Sequence, residues 1–408
     1  MFKSKSLESK CYFNVNYVSY VFIYLVYSSI FVFLNNYFPI LFFEVLDINR
    51  IILAFIQFLA YSILLLRPAF AAITDKYRIN GYQRKYYIIF SGYLLVVIYI
   101  FMGFTFSNIL IFGVFLFLVF LSSTMLDVST KSLIIDISPT NVNKKRAFFF
   151  ITVGDSLGRA FPFFLYFLFI NDIYSINSWT ILFFCSYVFV LPLLGFLPFI
   201  NENIQKKSQI IQNLESSTCD NSKKQNPYPN SKILFILLCL FVFFAFSDVI
   251  FIYPFFPYML TKFGINNFNL FNFLLIFYFL LSILTTSIGT FLIKKTKPKK
   301  MILILIPVIG IVYILYTTVN FTLFIFLYFI GSALSVITNL NISVFIMKFK
   351  KGDRTIYFHL IATFKNLAFF IFIPMGTFLS SIITTESLFI IGAVLLNLSL
   401  IPLILIKN

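Results

Sequence analysis

Charged residues are scarce in this chain. They make up 11% of its 408 residues, against about 25% in ordinary soluble domains, so the polar groups cannot cover a water-soluble surface. Apolar residues reach 60%, with 60 Phe, 24 Tyr and a mean hydropathy of +0.96, which excludes a disordered or collagen-like chain. The remaining class is an integral membrane protein.

Residue types that carry much of enzyme chemistry are also few. The single histidine, His359, excludes a multi-histidine metal site, and the four cysteines are too scattered for a disulfide framework or a paired-cysteine metal site. The sequence contains no Walker phosphate-binding loop, no GxSxG motif and no HExxH motif. We therefore expect no enzymatic activity, no ATP-driven pumping, no metal and no cofactor.

Long apolar runs predict twelve membrane-spanning helices, because a bilayer core of about 30 Å requires about 20 apolar residues. Nothing alternates as the strands of an outer-membrane barrel do. Between spans three and four, Ser107 and Asn108 leave room only for a tight turn. The predicted spans are 17–43, 50–73, 86–106, 109–135, 147–169, 179–199, 233–260, 268–293, 301–319, 323–347, 356–380 and 386–406.

Basic residues concentrate in alternate loops. The N-terminal tail, the loops after the even-numbered spans and the C-terminal Lys407 are net positive, and the other loops are close to neutral. By the positive-inside rule, both termini lie in the cytoplasm and the number of spans is even. The net charge of +17 thus reports topology, and it requires no nucleic-acid partner. We expect a monomeric multi-pass protein of the cell membrane.

The chain divides into two similar halves. The longest hydrophilic stretch, 201–232, is rich in Lys, Ser, Asn and Gln, and it predicts a cytoplasmic linker between a bundle at 1–200 and a bundle at 233–408. Span one ends with Phe38-Pro39 and span seven with Phe256-Pro257, and basic clusters follow the second and fourth span of each half. Two parallel six-span repeats predict an all-α membrane protein with 12 transmembrane helices in two six-helix bundles, the major facilitator type.

The segment 66–87, at the end of span two, carries a motif. It contains Arg67-Pro68, Asp75 and the run Gly81-Tyr82-x-Arg84-Lys85-x-Tyr87. This segment resembles the loop 2–3 motif of the major facilitator superfamily, and more narrowly that of its folate–biopterin transporter branch, although Ala71 stands where the family usually has Gly. The sugar–cation symporters related to the melibiose carrier share an Asp, Gly and Arg-Arg version. The resemblance implies a secondary transporter that works by alternating access.

The same segment suggests a device for conformational control. A carboxylate at a helix end beside loop cations can hold one conformation through charge-assisted hydrogen bonds. We therefore expect Asp75, together with Arg78, Arg84 or Lys85, to stabilise the outward-facing state. The alternative is a solvated basic loop that serves topology alone.

Ionisable residues inside the predicted spans are the candidates for substrate binding or coupling, because each costs about 2.5–3.5 kcal/mol at a helix centre on insertion scales. Two pairs have a spacing of four residues and so share a helix face. An alternative role is to hold helices together. The candidates are Arg67, Asp127, Lys131, Asp155, Arg159, Asp248 and Lys365.

Asp248 is the main candidate for proton coupling, because no opposite charge lies within one turn and a buried lone carboxyl favours its neutral form. Lys365 is its candidate partner or a ligand for an anionic solute. Lys131 stands where the folate–biopterin branch has a carboxylate; this charge reversal argues against a direct transfer of the family's substrate or coupling and favours a more anionic cargo. Gly154 and Gly158 predict a close approach of span five to a neighbouring helix.

The functional expectation is a secondary transporter for a small organic solute. Four bases against three acids inside the spans favour an organic anion such as a folate or pterin, with protons as the candidate coupling ion. The alternatives are a sugar–cation symporter of the melibiose-carrier type and a non-transporting membrane receptor or lipid-handling protein.

Overall fold

The computed structural model describes residues 2–46, 48, 50–137, 141–170, 175–202, 255, 258–259, 262–295, 297–347, 363, 367, 370–371, 375, 379 and 383–405. The described part of the protein is almost entirely helical and contains no strand. The helices are α1 (Phe2–Val32), α2 (Arg50–Ser62), α3 (Arg67–Lys76), α4 (Lys85–Phe104), α5 (Ile109–Ile137), α6 (Asn141–Phe169), α7 (Ile176–Val190), α8 (Pro192–Phe196), α9 (Ile265–Lys295), α10 (Pro298–Leu315), α11 (Phe321–Met347), α12 (Thr385–Leu398) and α13 (Leu400–Leu405).

Within the described residues, eight helical stretches are long and apolar enough to cross a bilayer. Ten of the twelve predicted spans coincide with described helices. The predicted spans 233–260 and 356–380 lie almost entirely outside the described residues, as does the predicted linker beyond Glu202. The all-α, multi-pass membrane architecture is thereby confirmed.

Spans one and two deviate from the regular α-helix near their prolines. Span one continues after α1 through widened π-helical turns at Phe33–Tyr37 and Leu41–Val45, on either side of the short Phe38–Ile40 helix that contains Pro39. Span two passes through a 3₁₀ turn at Ile63–Leu66 just before Pro68. Proline donates no backbone hydrogen bond and crowds the preceding turn, so the backbone ladder changes at both places. Hydropathy alone did not predict these changes.

Span one packs on span five at unusually short range. A Cβ atom added to Gly154 or Gly158 of α6 would meet the backbone of Val21 or Leu25 of α1. The Ser29 hydroxyl also donates to the Gly158 carbonyl at 2.9 Å. The predicted close approach through the glycine pair is therefore confirmed.

The first half contacts the second half largely through α6 and α9. Phe163 packs against Phe279 with ring centroids 5.5 Å apart, and Phe167 packs against Phe273 at 5.1 Å. A second contact joins Phe58 of α2 to Phe370, at 4.3 Å. Within the described residues, the two halves therefore meet along span five and span eight, and one further contact joins span two to Phe370.

Candidate functional site

Asp127 of α5 is the centre of a buried charged cluster. Its Oδ1 accepts a hydrogen bond from the Tyr24 hydroxyl at 2.6 Å and lies 2.8 Å from Lys131 Nζ. Its Oδ2 pairs with the Arg67 guanidinium and accepts a second bond from Lys131 at 3.1 Å. Three spans thus converge on one carboxylate: α1 contributes Tyr24, α3 contributes Arg67, and α5 contributes both Asp127 and Lys131.

The cluster has more positive than negative charge. Two cations share the Asp127 carboxylate, whose side chain is 0% exposed. The Arg67 side chain is 7% exposed and that of Lys131 is 22% exposed. Arg67 Nε is buried and has no hydrogen-bond partner within the described part of the chain. Because charge is poorly screened where water is excluded, this excess positive charge favours binding of an anion. Lys131 is the more exposed of the two cations.

The second predicted pair lies on α6. Arg159 Nε donates to Asp155 Oδ2 at 3.0 Å, and the Ser28 hydroxyl of α1 donates to Asp155 Oδ1. This pair is more open than the first, with side-chain exposures of 29% for Asp155 and 45% for Arg159. The one-turn spacing therefore produces an ion pair, and among the described residues its carboxylate contacts a cation, Arg159, and a hydroxyl, Ser28.

Span one supplies the polar and aromatic groups between the two pairs. Tyr27 is within electrostatic range of both pairs: of Asp127 and Arg67, and of Asp155 and Arg159. Its ring lies nearly parallel to that of Phe31, with centroids 6.3 Å apart.

Sequence reasoning missed the contributions of Tyr24, Tyr27 and Ser28, because uncharged polar groups are not conspicuous in a span. The signal that was available is the spacing of four residues between Tyr24 and Ser28, which places both on one face of α1.

Asp248 and Lys365 lie outside the described residues. The proton-coupling role predicted for Asp248, and its pairing with Lys365, stay predictions. His359, the only histidine, lies outside them too.

The loop 2–3 motif forms a separate network at the end of the bundle. Arg84, whose side chain is fully buried, pairs with Asp75 at the end of α3 and with Asp136 near the end of α5, the latter at 3.3 Å. It also donates to Thr74. Arg84, one of the three bases proposed for Asp75, pairs with it. Arg78 is exposed; the role of this network in alternating access stays a prediction.

A tight turn brings Arg84 into position. Asn80 and Gly81 both have positive φ, at 51° and 79°, as a two-residue type I′ turn requires. Ile79 and Tyr82 exchange backbone hydrogen bonds of 2.9 Å across it. Lys85 lies over the Tyr82 ring at 5.5 Å. The Asn-Gly pair thereby reverses the chain between α3 and α4.

Glu202 closes the N-terminus of α4, a role that sequence reasoning missed. Its carboxylate accepts backbone N–H bonds from Gln83 at 3.1 Å, Arg84 at 2.8 Å and Lys85 at 3.0 Å. These donors have no partner within a helix, and a negative charge is favourable there. Asn16 and Asn201 exchange two further hydrogen bonds, of 2.9 and 3.0 Å. The chain that leaves span six is therefore fixed to span one and to loop 2–3.

Comparison with known proteins agrees with this architecture. The family model of the Major Facilitator Superfamily matches residues 238–408, and that of the BT1 family matches residues 36–147. No curated protein matches the sequence.

Three solved structures share the fold at low sequence identity. The xylose transporter XylE from E. coli in a partially occluded inward open conformation is 12% identical, with 97% of this chain and 100% of that chain covered and a TM-score of 0.75. Its inward open conformation is 11% identical, with 97% and 95% covered and a TM-score of 0.66. A D-xylose-proton symporter is 11% identical, with 94% and 97% covered and a TM-score of 0.69.

The helical bundle defines a multi-pass integral membrane protein with the fold of the major facilitator type. The chain resembles major facilitator superfamily transporters over residues 238–408, and it resembles the BT1 family, the folate–biopterin transporter family, over residues 36–147. The resemblance inferred from the loop 2–3 motif is thereby confirmed, and the BT1 match at residues 36–147 includes that motif.

Proposed function

We propose that this protein is a proton-coupled secondary transporter that moves a small organic anion, such as a folate or pterin, by alternating access. The observation that carries the proposal is the sharing of Asp127 by Arg67 and Lys131, which leaves excess positive charge in a buried site. One cation is enough to balance the charge of Asp127, so the second leaves a net positive charge that an anion can neutralise.

Orientation and assembly complete the proposal. The positive-inside distribution supports cytoplasmic termini and a cytoplasmic loop 2–3. We take the protein to act as a monomer in the cell membrane, without enzymatic activity, because one chain contains both halves that alternating access requires.

The test is a flux screen in proteoliposomes with folate, pterins, sugars and amino acids, with and without a pH gradient. We expect uptake of an anionic solute, driven by the gradient. Lys131→Gln and Arg159→Gln should each weaken that uptake about tenfold or more, since a hydrogen bond to a charged group contributes about 1.5–3 kcal/mol. Arg78→Gln, at an exposed loop position, is the matched control.

Two other results would replace the proposal. Uptake of sugars alone would favour a sugar–cation symporter, the alternative that the fold shared with xylose transporters supports. Binding without flux would favour a receptor or lipid-handling protein. Normal anion uptake in both charge variants would refute the assignment of Lys131 and Arg159.

A further inference from the structure

Lysines are concentrated where the chain passes from α9 to α10. Five of the seven residues in the segment 294–300 are lysines, and the sequence from residue 249 to residue 352 contains no acidic residue. Lys297 directly precedes α10, and both Lys297 and Lys300 are exposed. The five residues, which we call the loop 8–9 cluster, are Lys294, Lys295, Lys297, Lys299 and Lys300.

The loop 8–9 cluster lies at the same end of the bundle as loop 2–3. In the paired rings, residue numbers rise along α6 from Phe163 to Phe167 while they fall along α9 from Phe279 to Phe273, so these two helices are antiparallel. The last turn of α9 therefore lies at the end of the bundle where α6 begins. This is also the end where α5 finishes and loop 2–3 pairs with it.

In the corresponding loop of the first half, the protein's own carboxylates balance the bases. Arg84 directly precedes α4, as Lys297 precedes α10. The Arg84 side chain is buried and pairs with Asp75 and Asp136. The Glu202 carboxylate accepts a hydrogen bond from the Arg84 backbone. Loop 2–3 therefore has three negative charges of the protein itself beside its basic residues.

The second half has a base where the first half has one of these acids. The Asn108 side chain accepts a backbone hydrogen bond at the start of α5, and the Asn320 side chain accepts one in the same way at the start of α11. Counted from these two asparagines, the position of Asp136 corresponds to Lys348, which lies outside the described residues. The sequence thus adds positive charge to the second half where Asp136 balances it in the first.

We propose that the loop 8–9 cluster binds the headgroup of an anionic phospholipid from the surrounding bilayer. The lipid phosphate supplies the negative charge that Asp75, Asp136 and Glu202 supply in the first half. Lysines beside a membrane-spanning helix attract anionic lipids, and each strengthens binding about fivefold. This surface is separate from the solute site, so the inference goes beyond the proposed function and does not depend on it.

Exposed apolar side chains favour a lipid over a soluble anion. On α10, Ile304 lies one turn after Lys300, and Ile311 lies two turns after Ile304, so the three share one face. On α9, Ile288 and Phe291 lie in the two turns before the lysines. Each of these four apolar residues is more than half exposed. Acyl chains can cover these apolar surfaces while the phosphate contacts the lysines, whereas a soluble anion would leave the apolar surfaces uncovered.

Native mass spectrometry of the purified protein in detergent tests the proposal, with phosphatidylserine as the probe and phosphatidylcholine as the neutral reference. The wild type should bind phosphatidylserine more tightly than phosphatidylcholine. Lys297→Gln/Lys300→Gln should weaken phosphatidylserine binding about 20–30-fold, since each lysine contributes about fivefold. Lys297→Arg/Lys300→Arg keeps both charges and should retain the binding.

The matched control is Lys76→Gln/Arg78→Gln, which removes two exposed bases from loop 2–3. It should leave phosphatidylserine binding nearly unchanged, because loop 2–3 has its own carboxylates. Equal losses in the two glutamine variants would overturn the proposal, since the attraction would then belong to the whole basic surface. Equal binding of the two lipids by the wild type would overturn it as well.

Glycerophosphoserine, which is the same headgroup without acyl chains, distinguishes a lipid site from a site for a soluble anion. At the concentration of phosphatidylserine it should displace little of the bound lipid, because it cannot cover the apolar faces of α9 and α10. Complete displacement would show that the cluster binds soluble anions and would overturn the assignment to a lipid.

Discussion

Removal of the Asp127 charge should destabilise the protein severely. In Asp127→Asn the side chain keeps its size and still accepts the Tyr24 hydrogen bond, but Arg67 loses its counter-ion at 7% exposure. An uncompensated buried charge of this kind costs about 3–5 kcal/mol. Lys131, at 22% exposure, can turn its ammonium group toward water, so most of the loss arises from Arg67. We expect a decrease of about 3–5 kcal/mol in the free energy of unfolding.

Denaturant unfolding in detergent measures this loss. Arg67→Gln/Asp127→Asn should recover most of the stability, because it removes the stranded cation together with the carboxylate. Asp155→Asn is the matched control, and it should cost less than about 1 kcal/mol because water screens that half-exposed pair. Equal losses in Asp127→Asn and Asp155→Asn, or a double variant less stable than Asp127→Asn, would refute the burial argument.

Three further predictions concern packing and the loop network. Gly158→Ala should lower the free energy of unfolding by about 1–3 kcal/mol, because its methyl group would overpack against the α1 backbone. Gly195→Ala is the control and should be tolerated, because a Cβ atom there meets nothing within 4 Å. Thermal unfolding compares the two variants. Arg84→Gln should lower the unfolding temperature and shift cysteine accessibility toward the inward-open pattern, and Arg78→Gln should change neither. Glu202→Gln should lower the free energy of unfolding by about 0.3–1 kcal/mol, because it removes a negative charge at the α4 N-terminus. If Arg84→Gln and Glu202→Gln both leave the unfolding temperature unchanged, the loop network contributes nothing to stability.

Hydropathy predicted most of the fold, because a bilayer demands long apolar segments whatever their detailed packing. The glycine pair in span five was equally readable, since only small side chains allow two helix backbones to touch. The 3₁₀ turn at Ile63–Leu66 and the π-helical turns around Pro39 were not predicted. A proline predicts an irregularity in the helix, but the type of turn that results depends on the tertiary contacts of the span.

The charged part of the candidate site was predictable for an energetic reason: an ionisable group inside a membrane is too costly to be accidental. The spacing of four residues also gave both ion pairs on α5 and α6. The spacing did not predict the partners on α1, Tyr24 and Ser28, because burying a hydroxyl group in a membrane costs little free energy and a hydroxyl is therefore not a marker of a site. The capping role of Glu202 was not predicted, because its partner is the backbone N–H of Arg84, which is 118 positions away in the sequence.

The position of Glu202 has a practical consequence for dividing the protein into its halves. A fragment that ends at residue 200, the predicted boundary, would leave the start of α4 without the carboxylate that satisfies three backbone donors. A fragment extended to Glu202 carries that carboxylate and the Asn16–Asn201 contact with it. Co-expression of separate halves should therefore restore an assembled protein far better when the break follows Glu202 than when it falls two residues earlier.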